Sequence, residues 1–188
     1  MNTVVIHNPA AGRNRAKKKL AELRSILDRN GIEAEWLGTE GPGHARELAE
    51  QCRSNRVDLV IAAGGDGTVS EVAGSLVDPS GRAPELMVWP MGSGNDFVAN
   101  THSARHSGAW KRALLHGRTR VFDAGVLEIL EPEPSRHYFF NNTGLGLEAE
   151  VIAESIKIRN LRGMPLYLVS ALRALRGAML QDLSLIHI

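Results

Sequence analysis

The sequence predicts an α/β fold: a parallel sheet built from the first 120 residues, followed by the start of a second, β-richer unit. Three observations predict it. Short apolar strands alternate with amphipathic helical stretches up to about Arg120. Three of those strands run directly into Gly-containing turns, at Asn8–Gly12, Gly64–Thr68 and Gly92–Asp96. Beyond Arg120 the alternation gives way to two strand-like segments and one helical stretch.

The elements follow in order. Thr3–His7 is a short β-branched run and reads as a buried strand. Ala16–Arg29 carries Leu20, Leu23 and Leu27 on one helical face, and Asn30-Gly31 supplies the C-cap. Ile32–Leu37 reads as the second strand. Ala45, Leu48, Ala49 and Cys52 form the i, i+3, i+4, i+7 stripe of a second helix. Leu59–Ala63 contains no polar residue, as expected of a parallel strand covered on both faces. Val69, Val72, Ala73 and Leu76 mark a third helix, and Leu86–Trp89 a fourth strand. A helix is expected near Asp96 and another over Ala109–His116. Val121–Leu130 and His137–Asn142 read as strands joined by a turn at Glu131–Ser135. Leu168, Val169, Leu172 and Leu175 predict a last helix.

Composition narrows the function classes. The chain has 188 residues, 43% hydrophobic and 23% charged, which suits one packed domain or one domain and part of another. Lys and Arg total 22 against 21 Asp and Glu, a net charge of +1. That balance disfavours nucleic acid as a partner held by bulk charge. A single cysteine, Cys52, excludes a disulfide framework or a Cys-rich zinc site. Neither a signal peptide nor an apolar run long enough to span a bilayer is visible, so the chain reads as soluble and cytoplasmic, with docking at a membrane surface left open. The last six residues, Leu183-Ser184-Leu185-Ile186-His187-Ile188, resemble one reading frame of a sequencing adapter. Native sequence is expected to stop near Asp182, the alternative being an ordinary apolar tail. The expected division is therefore 1–120, 121–182 and a non-native tail at 183–188.

The chemistry gathers on the three turns. In a parallel sheet they emerge at the carboxyl ends of the strands, where open α/β sheets bind ligands. Glycine lets backbone approach a phosphate closely, and the helix N-termini that follow favour anions. The three turns together describe a phosphate-binding cleft. Gly64-Gly65-Asp66-Gly67-Thr68 lacks the Lys of a Walker A loop. An acid at a phosphate site makes sense if Mg2+ or its water shell lies between Asp66 and the phosphates. The Thr68 hydroxyl can donate to a phosphate oxygen.

These residues resemble the diacylglycerol kinase catalytic family, which includes bacterial lipid kinases and sphingosine kinases. The resemblance is carried by Ile6–Gly12, by Thr39 with Pro42–Ala49, by Ala63–Val72 and by Trp89–Phe97. Phe139–Ala149 and Tyr167–Leu175 are similar to later family segments. Gly-Gly-Asp-Gly-Thr also occurs in NAD kinases and phosphofructokinases; the order of the other blocks favours the lipid-kinase branch. The resemblance implies a three-layer α/β domain of the NAD kinase/diacylglycerol kinase type, then a β-sandwich, with ATP between them. It implies ATP contacts at Asn8, Pro9, Ala10, Ala11 and Gly12, at Thr39, at Gly64, Gly65, Asp66, Gly67, Thr68, Val69, Ser70 and Glu71, and at Ser93 and Asn95. Asp66 would serve the Mg2+–phosphate network, with no direct metal ligand assigned.

The implied reaction moves the γ-phosphate of ATP to the hydroxyl of a lipid such as diacylglycerol, at a peripheral membrane surface; a homodimer is also expected. The family's general base lies in a Gly-Asp-Gly-Glu-like motif, and none follows Thr68. The base is expected outside this chain, and the fragment is expected to be inactive alone. A soluble-substrate kinase and a non-catalytic nucleotide-binding module are the alternatives. Ser70, Ser93 and Glu148 stand where the family usually has Asn, Thr and Asp.

Simpler roles compete at several positions. Asp66 could cap the third helix, Asn8 could be a turn residue, and Ser93, Asn95 and Asp96 could be helix-start signals. Arg13, Arg15, Lys17, Lys18 and Lys19 crowd a helix start, where cations oppose the dipole. Either an anion compensates them or they form a solvated face. His44 reads as a helix-start residue, His7 as a satisfied edge residue, Cys52 as core, and Trp36, Trp89 and Trp110 as packing. Glu148 reads as a helix-start acid, with a functional role as the alternative.

Overall fold

The computed structural model describes residues 1–12, 16–78, 81, 83–92, 94–100, 107–117, 119–141, 144, 146–158, 160–161 and 163–177. Ser93, Arg13, Arg15, Asn142 and the 183–188 tail, all named above, lie outside the described residues. The chain divides into two compact units, Met1–Asn141 and Asn142–Ile188.

The first unit opens with β1 (Thr3–His7), α1 (Ala16–Arg29), β2 (Glu35–Gly38), α2 (His44–Ser54), β3 (Leu59–Gly64), α3 (Asp66–Leu76) and β4 (Glu85–Pro90). The four strands form one parallel sheet in the order β2-β1-β3-β4. Alternation along the strands splits the core in two, because successive side chains point to opposite faces. Val4, Ile6, Val60, Ala62 and Val88 pack with Ala45, Leu48, Ala49 and Cys52 of α2 and Val69, Val72 and Leu76 of α3. Val5, Leu59, Ile61, Ala63 and Trp89 pack on the other face with Leu23 and Leu27 of α1 and with Trp110. The result is the three-layer α/β architecture expected from the sequence.

The second strand begins later than its apolar pattern suggests. Gly31, at φ +65, ends α1 in a left-handed cap. The Gly31 N–H donates to the Asp28 carbonyl and the Ile32 N–H to the Leu27 carbonyl. This is the Schellman arrangement, in which Leu27 and Ile32 also share an apolar cluster. Ile32 is thereby committed to the helix end, and pairing with β1 starts only at Glu35.

After β4 come α4 (Asp96–Asn100) and α5 (Ser107–His116). Trp110 is 1% exposed and donates its indole N–H to the Val88 carbonyl at 2.9 Å. It meets Trp89 edge to face, with ring centroids 4.9 Å apart. The antiparallel hairpin of β5 (Gly125–Ile129) and β6 (Ser135–Phe139) completes the unit. It is shorter than the apolar run Val121–Leu130. Pairing begins at Gly125 opposite Phe139, and Val121 is 99% exposed. The hairpin lies within Met1–Asn141, and Tyr138 Cβ would lie 3.9 Å from a Cβ placed at Gly74 of α3. Residue 120 is thus where alternating strands and helices give way to a hairpin.

The second unit contains α6 (Leu147–Lys157) and α7 (Gly163–Gly177), which pack against each other. The apolar period marks α7, whereas α6 shows in the sequence only through Glu148 as a helix-start acid. Glu148 and Glu150 stand in the first turn of α6, where acids suit the helix dipole. On α7, Leu168, Leu172 and Leu175 are more than half exposed, while Ser170 and Ala174 are buried. The apolar period therefore located the helix without identifying its covered face. Among the described residues, no helix is long and apolar enough to cross a membrane.

Candidate functional site

The carboxyl ends of β1, β2, β3 and β4 deliver four loops to one edge of the sheet. The first begins at Asn8, whose backbone N–H donates to the Ala63 carbonyl at 3.0 Å. Its side-chain oxygen accepts the Ala10 N–H at 2.9 Å, so Asn8 closes the turn locally. Its side-chain amide also donates to Thr68 Oγ1 at 3.3 Å. Asn8 is both a turn residue and a link to the loop after β3, which its sequence neighbourhood could not reveal.

Gly12 brings the first loop against the loop after β4. Its φ is +59, and a Cβ there would lie 2.3 Å from the Met91 carbonyl oxygen. Met91 in turn donates its N–H to the Gly64 carbonyl at 2.8 Å. The loops after β3 and β4 touch through bare backbone: a Cβ on Gly92 would sit 2.7 Å from Gly65 Cα. No side chain fits at either contact. These glycines are needed for packing of loop on loop, before any ligand is considered.

Asp66 is the first residue of α3, yet it does not cap that helix. Gly65 is the N-cap and no side-chain capping bond is present there. The Asp66 carboxylate instead reaches across to the loop after β4. It accepts the Asn95 N–H at 2.8 Å on Oδ2 and the Phe97 N–H at 3.4 Å on Oδ1. A Cβ on Gly94 would lie 3.0 Å from Asp66 Oδ2 and 3.5 Å from Asp96 Oδ1, so the two acids flank Gly94. Asn95 adopts φ +59, and its carbonyl accepts the Ala99 N–H that opens α4.

The remaining expected residues distribute as follows. Thr39 is 9% exposed at the end of β2 and donates its N–H to the His7 carbonyl at 2.9 Å. Thr68 is buried beneath the edge, whereas Gly67 and Ser70 are exposed on α3. Val69 is buried in the core and its N–H closes onto the Gly65 carbonyl. Glu71 directs Oε1 to the Gly43 N–H at 3.0 Å and ties the loop after β2 to α3. His44 accepts the Glu40 N–H on Nδ1 at 3.0 Å, a helix-start role. Pro9, Ala10 and Ala11 lie in the first loop, Pro9 and Ala10 exposed.

Of the basic cluster, Lys17 and Lys18 are exposed on α1. Lys19 behaves differently: its ammonium donates to the Pro90 carbonyl, and its own carbonyl accepts the Trp89 indole N–H at 3.1 Å. His7 is not at a sheet edge, since β1 lies between β2 and β3. Its Nδ1 is buried without a hydrogen-bond partner. Burial, and then the Arg24 charge, hold its imidazole below the ordinary value. Arg24 stacks over Trp36 at 4.5 Å. The contacts of Phe97, Met91 and Lys19 escaped the sequence reading because backbone groups, or a long amine, make them; no residue-type pattern marks such partners.

The model of the diacylglycerol kinase catalytic domain matches residues 2–127. The chain belongs to the diacylglycerol kinase catalytic family. The chain is 31% identical over 172 residues to a diacylglycerol kinase of Bacillus subtilis (strain 168), covering 91% of the chain and 54% of that protein. It is 30% identical to one from Staphylococcus epidermidis, covering 91% and 52%. It spans about half the length of the curated relatives it matches. The crystal structure of a diacylglycerol kinase from Bacillus anthracis str. Sterne superposes with a TM-score of 0.57 at 27% identity, covering 65% of this chain and 42% of that one. The cross-linked loops described above thus belong to a diacylglycerol kinase catalytic domain.

Proposed function

We propose that this chain carries the nucleotide-binding half of an ATP-dependent lipid kinase. The observation that carries the reading is the cross-linking of the sheet-edge loops: Asn8 to Thr68, Asp66 to Asn95, Gly12 against Met91, and Glu71 to Gly43. Such a preorganised edge suits a polyanion, because glycine-bare backbone and the first N–H groups of α3 can approach phosphate oxygens without reorganisation.

The residues fit a magnesium ion that arrives with the nucleotide. Among the described residues no group of three or more His, Cys, Asp or Glu could cage a metal. Magnesium in phosphoryl-transfer sites keeps several waters and takes few protein carboxylates. Asp66 meets that need, since its carboxylate accepts two N–H groups and retains acceptor capacity for water. The ion would supply charge neutralisation of the phosphates.

This chain's residues then bind and orient. Asn8–Gly12, Thr39 and Gly64–Thr68 would hold the nucleotide, with Ser93 keeping the contact that the family resemblance implies. Thr68, whose oxygen accepts from Asn8, keeps its hydrogen to donate. Val69, Ser70, Glu71 and Asn95 support the same site from α3 and the fourth loop. The γ-phosphoryl group passes to a lipid hydroxyl, whose proton goes to a carboxylate beyond this chain, and ADP leaves. The names of the relatives support diacylglycerol as acceptor; the enzyme would meet it at a membrane surface, from the cytoplasmic side. The β5–β6 hairpin would begin the β-richer part of the protein.

Calorimetric titration of the chain with ATP, with and without Mg2+, tests the binding half. Asp66→Ala should weaken the Mg2+ dependence of binding, and unchanged dependence would remove Asp66 from its role. The protein extended to its relatives' length, given labelled Mg·ATP and lipid vesicles, should yield a phosphorylated lipid. No labelled lipid from any acceptor would defeat the kinase reading.

A further inference from the structure

We propose that Asn95 is a positioning residue that builds the ligand-ready shape of the loop after β4 and aims the Asp66 carboxylate, rather than touching nucleotide with its side chain. The proposal deepens the nucleotide-binding reading and rests on it.

The Asn95 side chain is already occupied. Its Oδ1 accepts the Gly92 N–H at 2.9 Å, and its Nδ2 donates to the Gly92 carbonyl at 2.9 Å. One amide therefore grips both polar groups of a single residue three positions back. Its backbone is committed as well, the N–H to Asp66 and the carbonyl to Ala99. Asn95 holds φ +59, a region in which Asn is far better tolerated than most residues.

Removing the clamp has a defined consequence. Gly92 packs its backbone on Gly65, immediately before Asp66. Releasing Gly92 lets the fourth loop leave the third, and the Asn95 N–H then no longer fixes Asp66 Oδ2. The ordering that the free protein now carries would have to be supplied on binding. Two lost hydrogen bonds correspond to about a tenfold loss of affinity. The loss should be larger with Mg2+ present, because Asp66 is the group displaced.

The test uses the isotope-labelled chain and three readouts: melting temperature, amide exchange at Gly92, and affinity for ATP with and without Mg2+. Asn95→Gly keeps the left-handed backbone without strain and deletes the amide. It should melt within a few degrees of the parent, speed Gly92 exchange at least about tenfold and weaken Mg·ATP binding about tenfold. Asn95→Asp keeps an acceptor for the Gly92 N–H, so its Gly92 exchange should be intermediate. Unaltered Gly92 exchange in Asn95→Gly would overturn the clamp. Weakened binding with unaltered exchange would make Asn95 a direct ligand and also overturn the proposal. Failure of the parent chain to bind Mg·ATP would instead defeat the nucleotide reading, and with it the role given to Asn95.

Discussion

Substitution of Gly12 by alanine separates backbone strain from loop-on-loop packing. Two glycines of the first unit share nearly the same positive φ, Gly12 at +59 and Gly31 at +65. Their surroundings differ. A Cβ at Gly31 meets nothing within 4 Å, whereas one at Gly12 would lie 2.3 Å from the Met91 carbonyl oxygen. Gly31→Ala therefore carries only the left-handed strain of an L-residue, about 1–2 kcal/mol. Gly12→Ala carries the same strain and must also displace Met91. Met91 is 2% exposed and bonded to Gly64, and it leads into the Gly92–Gly65 contact. A forced shift of packed backbone adds about 1–3 kcal/mol. Gly12→Ala should cost about 2–5 kcal/mol in all, at least about 1 kcal/mol more than Gly31→Ala. Urea unfolding followed by the fluorescence of buried Trp89 and Trp110 measures both. Equal losses for the two variants would refute the inference that the first and fourth loops meet at Gly12.

Two further predictions concern the buried titratable groups. The His7 imidazole lies below its ordinary value because of burial and, secondarily, Arg24. As pH falls through the ordinary value of about 6.5, the unfolded chain binds a proton that the folded chain does not. The contribution of His7 to stability is thus fully present above that value and is lost as pH falls toward the folded-state value. Unfolding in urea at a series of pH values should show a slope across this window that His7→Phe reduces; an identical slope in the variant would contradict the assignment. The Cys52 thiol is pushed up by burial and by the nearby Glu35 charge, and its side chain is 3% exposed. A thiol reagent at neutral pH should react with Cys52 slowly in the folded chain and quickly in denaturing urea, and fast reaction of the folded chain would show that the α2 face opens.

Much of the fold was legible because its causes are local. β1 and β3 are apolar on both faces since both faces are covered, and α1 and α2 carry their buried residues at helical spacing. The Gly31 cap and the Gly-rich turns announced themselves through residue types with few other uses. Where one side of an element is exposed, the sequence said less. β2 was displaced by the needs of the α1 cap, β5 was trimmed by the length of its partner, and the apolar stripe of α7 proved not to be its covered face.

The site divides in the same way. The sequence by itself determined that glycines, an acid and hydroxyls would gather at the carboxyl edge of a parallel sheet, because strand direction and turn composition require it. Only the tertiary structure decided the partner of each polar group. Asp66 binds Asn95 and Phe97 rather than its own helix, Glu71 binds Gly43, Asn8 binds Thr68, and Lys19 binds the Pro90 carbonyl. Each of these bonds joins segments far apart in the sequence. Their formation depends on the strand order β2-β1-β3-β4 and on backbone atoms that every residue shares, so nothing in the local sequence specifies them.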